Sequence, residues 1–160
     1  MICIENIKRS PPAISDEYSI TSGGSKYVDK ANDVIELWRE CFDFSTNDFP
    51  SLEKVKELIS EEKVVLIFDS SDKLVYCSSI DEISNNTCYW RHACTSTQSR
   101  RKGLAKAGFD FLCSKSEEMG FKRISGYVNS ENYGAIEMYK KWGFVFSDKK
   151  VLEYYKKEGN

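Results

Sequence analysis

The chain has 160 residues, 41% hydrophobic and 30% charged, with a formal net charge of −2. Such a composition suits one globular domain with its own core and excludes a disordered or low-complexity chain. The balance of charge gives no reason to expect nucleic acid or membrane as a partner, and no apolar run nears the ~20 residues of a membrane span. The start, Met1-Ile2-Cys3-Ile4-Glu5, lacks both a basic segment and a long apolar run, so no signal peptide is expected. Cys3, Cys41, Cys77, Cys88, Cys94 and Cys113 form no Cys-x-x-Cys pair. They read as buried free thiols of a cytoplasmic protein. A single His offers no His-based metal cluster, and no metal is expected.

Ser10-Pro11-Pro12 cannot continue a helix or a central strand, so residues 1–15 read as a surface arm of unknown role and 16–160 as the domain. Glu17 to Thr21 alternates weakly, as a first strand would. Ser22-Gly23-Gly24-Ser25 is a turn. From Tyr27 to Phe42, Val28, Ala31, Val34, Ile35, Leu37 and Trp38 recur at helical spacing. A loop follows to Pro50, and Leu52, Val55, Leu58 and Ile59 mark a second amphipathic helix. Val64 to Phe68 is a buried strand, Leu74 to Ile83 the next, and a hairpin at Ser84-Asn85-Asn86 leads into Thr87 to Thr95. A helix spans Gly103 to Met119, a strand Phe121 to Val128, a helix Asn132 to Lys141, and strands Phe144 to Phe146 and Val151 to Tyr155. The predicted order is β-α-α-β-β-β-α-β-α-β-β. The fold class is α/β in the broad sense (α+β): a mixed, mostly antiparallel sheet with helices on both faces.

Arg100-Arg101-Lys102-Gly103-Leu104-Ala105 stands between an apolar strand and a long helix. The first N–H groups of a helix lack internal partners, and the helix dipole adds partial positive charge there. Gly103 lets backbone approach a ligand closely, and three cations precede it. The segment therefore reads as a phosphate or pyrophosphate cradle, the plainer alternative being an exposed basic turn.

The second half of the stretch points further. Arg100, Gly103 and Ala105 fit Arg/Gln-x-x-Gly-x-Gly/Ala, the acetyl-CoA signature of the GCN5-related N-acetyltransferase (GNAT) superfamily. Asn132, Ala135-Ile136, Tyr139 and Gly143-Phe144 match that family's later segment in order and spacing. Residues 87–147 thus resemble this family closely, and the earlier chain resembles it in architecture. The resemblance implies an enzyme moving an acetyl group from acetyl-CoA to a primary amine, with direct attack in a ternary complex. It implies that the amides of Arg101, Lys102, Gly103, Leu104 and Ala105 hold the CoA pyrophosphate beside Arg100. It implies two strands splayed apart, Ala93 to Thr95 opposite Tyr127 and Val128, with unpaired backbone for pantetheine. The Thr95 N–H would face the developing oxyanion, Asn132 would bond the pantetheine arm, and Tyr139 would protonate the leaving sulfur. A tyrosine suits that last role, since its free pKa of about 10 lies near a thiol's.

The proton from the amine has two candidate takers, His92 and water. Asn132 also reads as a helix N-cap, Tyr139 as a core aromatic, and His92 as a structural residue. Gly108 stands mid-helix where the family more often has a large apolar residue, which points to close packing. Gly103-x-Ala105-x-x-Gly108 also fits a dinucleotide fingerprint, but Tyr127-Val128-Asn129 lacks the acidic residue that reading needs. A non-catalytic CoA-binding module is a further alternative. For the acceptor, the loop Phe42 to Phe49 offers three aromatics with Asp43 and Asp48, able to hold a cationic amine or to anchor the loop. A small-molecule amine is the expected acceptor and a protein or peptide amine the alternative. A homodimer is left open.

Overall fold

The computed structural model describes residues 2–5, 14–45, 49–84 and 86–146, with the side chains of 2–5 and 82–84 set aside. The expected strand at Val151 to Tyr155, and Asp48 with it, lie outside the described residues.

Seven strands form one sheet, in spatial order β2-β3-β4-β5-β6-β1-β7. They are β1 (Ile2–Glu5), β2 (Ser19–Thr21), β3 (Val64–Phe68), β4 (Leu74–Ser84), β5 (Thr87–Thr95), β6 (Arg123–Gly126) and β7 (Val145–Phe146). Only β5 and β6 run parallel. The helices are α1 (Ala31–Cys41), α2 (Leu52–Ser60), α3 (Leu104–Glu118) and α4 (Tyr133–Lys141). No helix among the described residues is long and apolar enough to cross a membrane.

Every residue of β3 is buried, because both faces of this central strand are covered. On one face, α1 and α2 bring Val34, Trp38, Val55 and Ile59 onto Leu66, Phe68 and Cys77. On the other, α3 brings Leu104, Phe109 and Leu112 onto Val65, Tyr76 and Trp90, joined by Phe144. Ser51 starts α2 by accepting the Lys54 N–H on its side chain at 3.2 Å.

Two expectations are corrected. The first residues are not a free arm: β1 pairs antiparallel with β6 and with β7, and so sits inside the sheet. The expected first helix begins as a 3-10 segment, Ser25–Lys30, and becomes α-helical only at Ala31. Lys30 supplies no side-chain cap at that junction.

Candidate active site

Between β5 and α3 the chain makes one 3-10 turn, Thr97–Ser99, and then swings through Arg100–Gly103. Gly103 is the N-cap of α3, in the left-handed region at φ 77°, and no side chain caps the helix. A Cβ built on Gly103 would meet no atom within 4 Å. The first helical bond here runs from the Ala107 N–H to the Gly103 carbonyl at 3.0 Å. The N–H groups of Leu104, Ala105 and Lys106 therefore face forward without helical partners. An uncapped helix start, with open space before it and Arg100 and Arg101 beside it, fits a phosphate group.

That helix start opens into a cleft of about 790 Å³. Arg100, Arg101, Gly103, Leu104 and Ala105 line its basic end. Ala93 and Thr95 line it from β5, and Asn132 and Tyr139 from α4. Of the residues expected at the site, Lys102, Tyr127, Val128 and His92 are not among the lining residues.

The cleft exists because β5 and β6 part company. Their parallel ladder runs from Thr87 opposite Arg123 to Trp90 opposite Gly126 and ends there. Just beyond, β5 carries a bulge: Arg91 faces Ser79 and Cys94 faces Cys77, so His92 and Ala93 share Ser78. His92 takes up φ 52° to make it. The extra residue reverses the alternation of faces, so Trp90 packs toward α3 while Cys94 packs toward α1. The Ser96 N–H bonds the Val75 carbonyl at 2.8 Å. By ladder alternation the next pair, Tyr76 and Thr95, is non-hydrogen-bonded, and Thr95 turns its N–H and carbonyl away from β4. Both groups face the gap that β6 has left.

Tyr139 stands across the cleft with its ring edge-on to Trp90, Trp142 and Phe144, at centroid distances of 5.4, 5.5 and 5.5 Å. Burial pushes its phenol pKa up to about 12. The group is thus neutral and protonated at every physiological pH, and it is a weaker acid than free tyrosine. Asn132 caps α4, its Oδ1 accepting the Ala135 N–H at 3.2 Å, while also lining the cleft.

The opposite face of β5 carries the acceptor candidates. The His92 ring lies between Trp38 and Phe49, at 4.9 and 4.8 Å. Phe49 stacks on Phe44 at 4.1 Å and meets Phe42 at 5.6 Å. The three loop aromatics therefore pack on one another, and Arg39 lies over Phe44 at 5.7 Å. Asp43 accepts the Ser45 hydroxyl at 2.6 Å and its N–H at 2.9 Å, bonds that lower its pKa. Nearby, Tyr89 donates to the Tyr127 hydroxyl.

Three features of the site were missed from sequence. Tyr76, almost fully buried, lines the cleft with its ring laid on Gly108. Gly108 was the available signal, since a mid-helix glycine asks what occupies its space. Cys41 and Trp142 also line the cleft, and nothing in their local sequence marks them. Among the described residues no group of three His, Cys, Asp or Glu is placed to hold a metal ion.

The model of the "Acetyltransferase (GNAT) family" matches residues 31–144. The chain belongs to the GNAT acetyltransferase family. With the family comes the enzyme class, an acyl-CoA-dependent N-acetyltransferase. No curated protein matches the chain. Among solved structures it is similar to an aminoglycoside acetyltransferase from an uncultured soil metagenomic sample, at 18% identity and a TM-score of 0.65, over 81% of this chain and 89% of that one. It is similar to the diaminobutyrate acetyltransferase of Paenibacillus lautus, solved with its substrate and coenzyme A, at 17% identity and a TM-score of 0.65, over 80% and 75%. It is also similar to a chain of the NatC complex bound to Gag peptide and CoA, at 15% identity and a TM-score of 0.69, over 82% and 86%. At these identities the likeness is one of fold.

Proposed function

We propose that this GNAT enzyme moves an acetyl group from acetyl-CoA to a primary amine of a small molecule, by direct attack in a ternary complex. One observation carries the reading: a single cleft is lined by the uncapped start of α3, by Thr95 at the free edge of β5 and by Tyr139 of α4. Bound acetyl-CoA would supply an acyl group activated as a thioester.

The forward N–H groups of Leu104, Ala105 and Lys106, with Arg100 and Arg101, hold the pyrophosphate at the basic end. Asn132 and the free edge of β5 orient the arm that follows, so that remote binding positions the reacting carbon. Thr95 points its N–H at the carbonyl oxygen that gains negative charge as the amine adds. Tyr139 gives its proton to the departing sulfur. With its pKa pushed up to about 12, above a free thiol's ~8.5, the transfer is uphill even to the fully formed thiolate, so the proton moves last, after the carbon–sulfur bond has broken. The amine gives up its proton to water or to His92. Small-molecule relatives by fold support the acceptor class, and free thiols suit a reducing, cytoplasmic compartment. A peptide amine is the second reading, supported by the likeness to the peptide-bound complex.

The test is acetyl-CoA turnover over a panel of small amines and peptides, followed by Tyr139→Phe with the best acceptor. General-acid catalysis is typically worth ~10²–10⁴-fold, so the single-turnover rate should fall by about that range with acetyl-CoA affinity kept. An unchanged chemical step would make Tyr139 a packing residue. A panel in which only peptides react would select the second reading.

A further inference from the structure

The last turn of α1 sends three side chains to the backbone of the segment that forms the bulge and runs on past it. Trp38 Nε1–H donates to the His92 carbonyl at 3.1 Å. Cys41 S–H donates to the Thr95 carbonyl at 3.4 Å. Glu40 accepts the Thr97 N–H at 2.7 Å. Trp38 and Glu40 fix the ends of this segment, and Cys41 reaches its middle. Such support is needed there, because β5 has lost β6 on that side and Thr95 turns both backbone groups into the gap.

The Thr95 N–H belongs to the peptide joining Cys94 to Thr95. Cys41 meets both residues: its thiol lies within hydrogen-bonding reach of the Cys94 thiol and donates to the Thr95 carbonyl. Cys94 is held in turn by Cys77, directly across the ladder, with the sulfurs 3.8 Å apart. Arg100 Nε–H donates to the same Thr95 carbonyl at 3.3 Å, so two donors from different elements fix one oxygen.

We propose that Cys41 is a positioning residue of the acyl-transfer site, which sets the direction of the Thr95 N–H by holding the Thr95 carbonyl. The proposal rests on the reading above, in which Thr95 is the donor to the carbonyl oxygen. The contact with Cys94, and then burial, raise the Cys41 pKa, so the thiol stays protonated and keeps its hydrogen to donate.

Cys41→Ala removes the donor and Cys41→Ser keeps one. A neutral hydrogen bond of this kind is worth about a 2–10-fold effect. Cys41→Ala should lower the single-turnover rate by about that factor, leave the acetyl-CoA Kd unchanged, and be rescued by Cys41→Ser. Arg100→Met combined with Cys41→Ala should lose more than the product of the two single losses, because only the double variant strips the oxygen of both donors. The Thr95 amide, followed by ¹⁵N–¹H NMR, separates the two layers of the reading. It should shift when acetyl-CoA binds the parent, and its position in Cys41→Ala should differ from that in Cys41→Ser. If acetyl-CoA leaves the parent's Thr95 amide unmoved, the donor reading fails and the proposal with it. If the parent responds but Cys41→Ala keeps the parent's rate and Thr95 shift, or if Cys41→Ser falls as far as Cys41→Ala, the positioning role alone is overturned.

Discussion

Replacing Gly108 by alanine should destabilise this protein, although the same change in most helices stabilises. The Cβ would lie 2.4 Å from Cε1 of Tyr76, 2.6 Å from its Cζ and 3.0 Å from its Cδ1. Carbons rest at ~3.5–4.0 Å, so the ring must withdraw by roughly 1 Å. It has little room to do so, since Tyr76 is 1% exposed and packs among Val65, Leu104 and Phe109. Helix propensity favours alanine over glycine by ~1 kcal/mol, and overpacking a filled core costs ~1–3 kcal/mol. The clash wins, with a net loss of about 1 kcal/mol. For a domain of this size that lowers Tm by ~2–4 °C.

The decisive measurement is the sign of the change in two backgrounds. With Tyr76→Ala in place the ring is gone, and Gly108→Ala should then stabilise by ~0.5–1 kcal/mol. Thermal or urea melts of the four proteins close the cycle. A Gly108→Ala variant that melts at or above the parent would refute the reasoning, as would equal effects in the two backgrounds. Tyr76 is also part of the cleft wall, so the single variant should bind acetyl-CoA more weakly as well.

Gly103→Val places a branched side chain at φ 77° in the open space before α3; acetyl-CoA affinity by calorimetry should fall roughly ten-fold or more, as for losing a charge-assisted hydrogen bond, and an unchanged Kd would put the cofactor elsewhere. Tyr139 has its folded pKa raised, so its contribution to stability is full below the unfolded value of about 10 and is lost only as pH rises through about 12. The single-turnover rate should accordingly show no falling limb from Tyr139 up to pH ~10, and a limb below that pH which vanishes in Tyr139→Phe would contradict the raised pKa.

Much of this was legible because the signals are local. An uninterrupted apolar run gave β3 its exact bounds, and the hairpin turn gave those of β5. The helices expected from Gly103 and Asn132 begin one residue later, at Leu104 and Tyr133, with Gly103 and Asn132 as their N-caps. What failed was non-local. Ile2–Glu5 has a partner some 120 residues away, and four residues before a Pro-Pro segment carry no sign of it. Arg100, Arg101 and Lys102 look equivalent as letters. A turn that puts Arg101 at φ 62° decides which of them meet the cleft, and it leaves Lys102 out. The aromatic loop could be read two ways from composition. Its rings pack on one another and on His92, and Arg39 covers Phe44, which favours the anchor.

The least legible feature is the bulge in β5. A strand of strict alternation from Thr87 would put Cys94 on the face of Trp90, toward α3. One extra residue at His92 reverses this, and no glycine or proline announces it. With the bulge, Cys94 reaches Cys77 and the thiol of Cys41, and Thr95 is presented to the gap between β5 and β6. The positive φ of His92 costs conformational energy, on the order of 1–3 kcal/mol for a residue held in a sparse region. Its surroundings hold it there: Trp38 bonds its carbonyl, and Trp38 and Phe49 bracket its ring. The same α1 turn that fixes this strained residue also fixes Thr95 and Thr97. The loop that follows α1 is the one whose aromatics meet His92. The last turn of α1 and the loop after it thus hold one stretch of β5 from two sides, at the His92 ring and at the backbone of residues 92, 95 and 97.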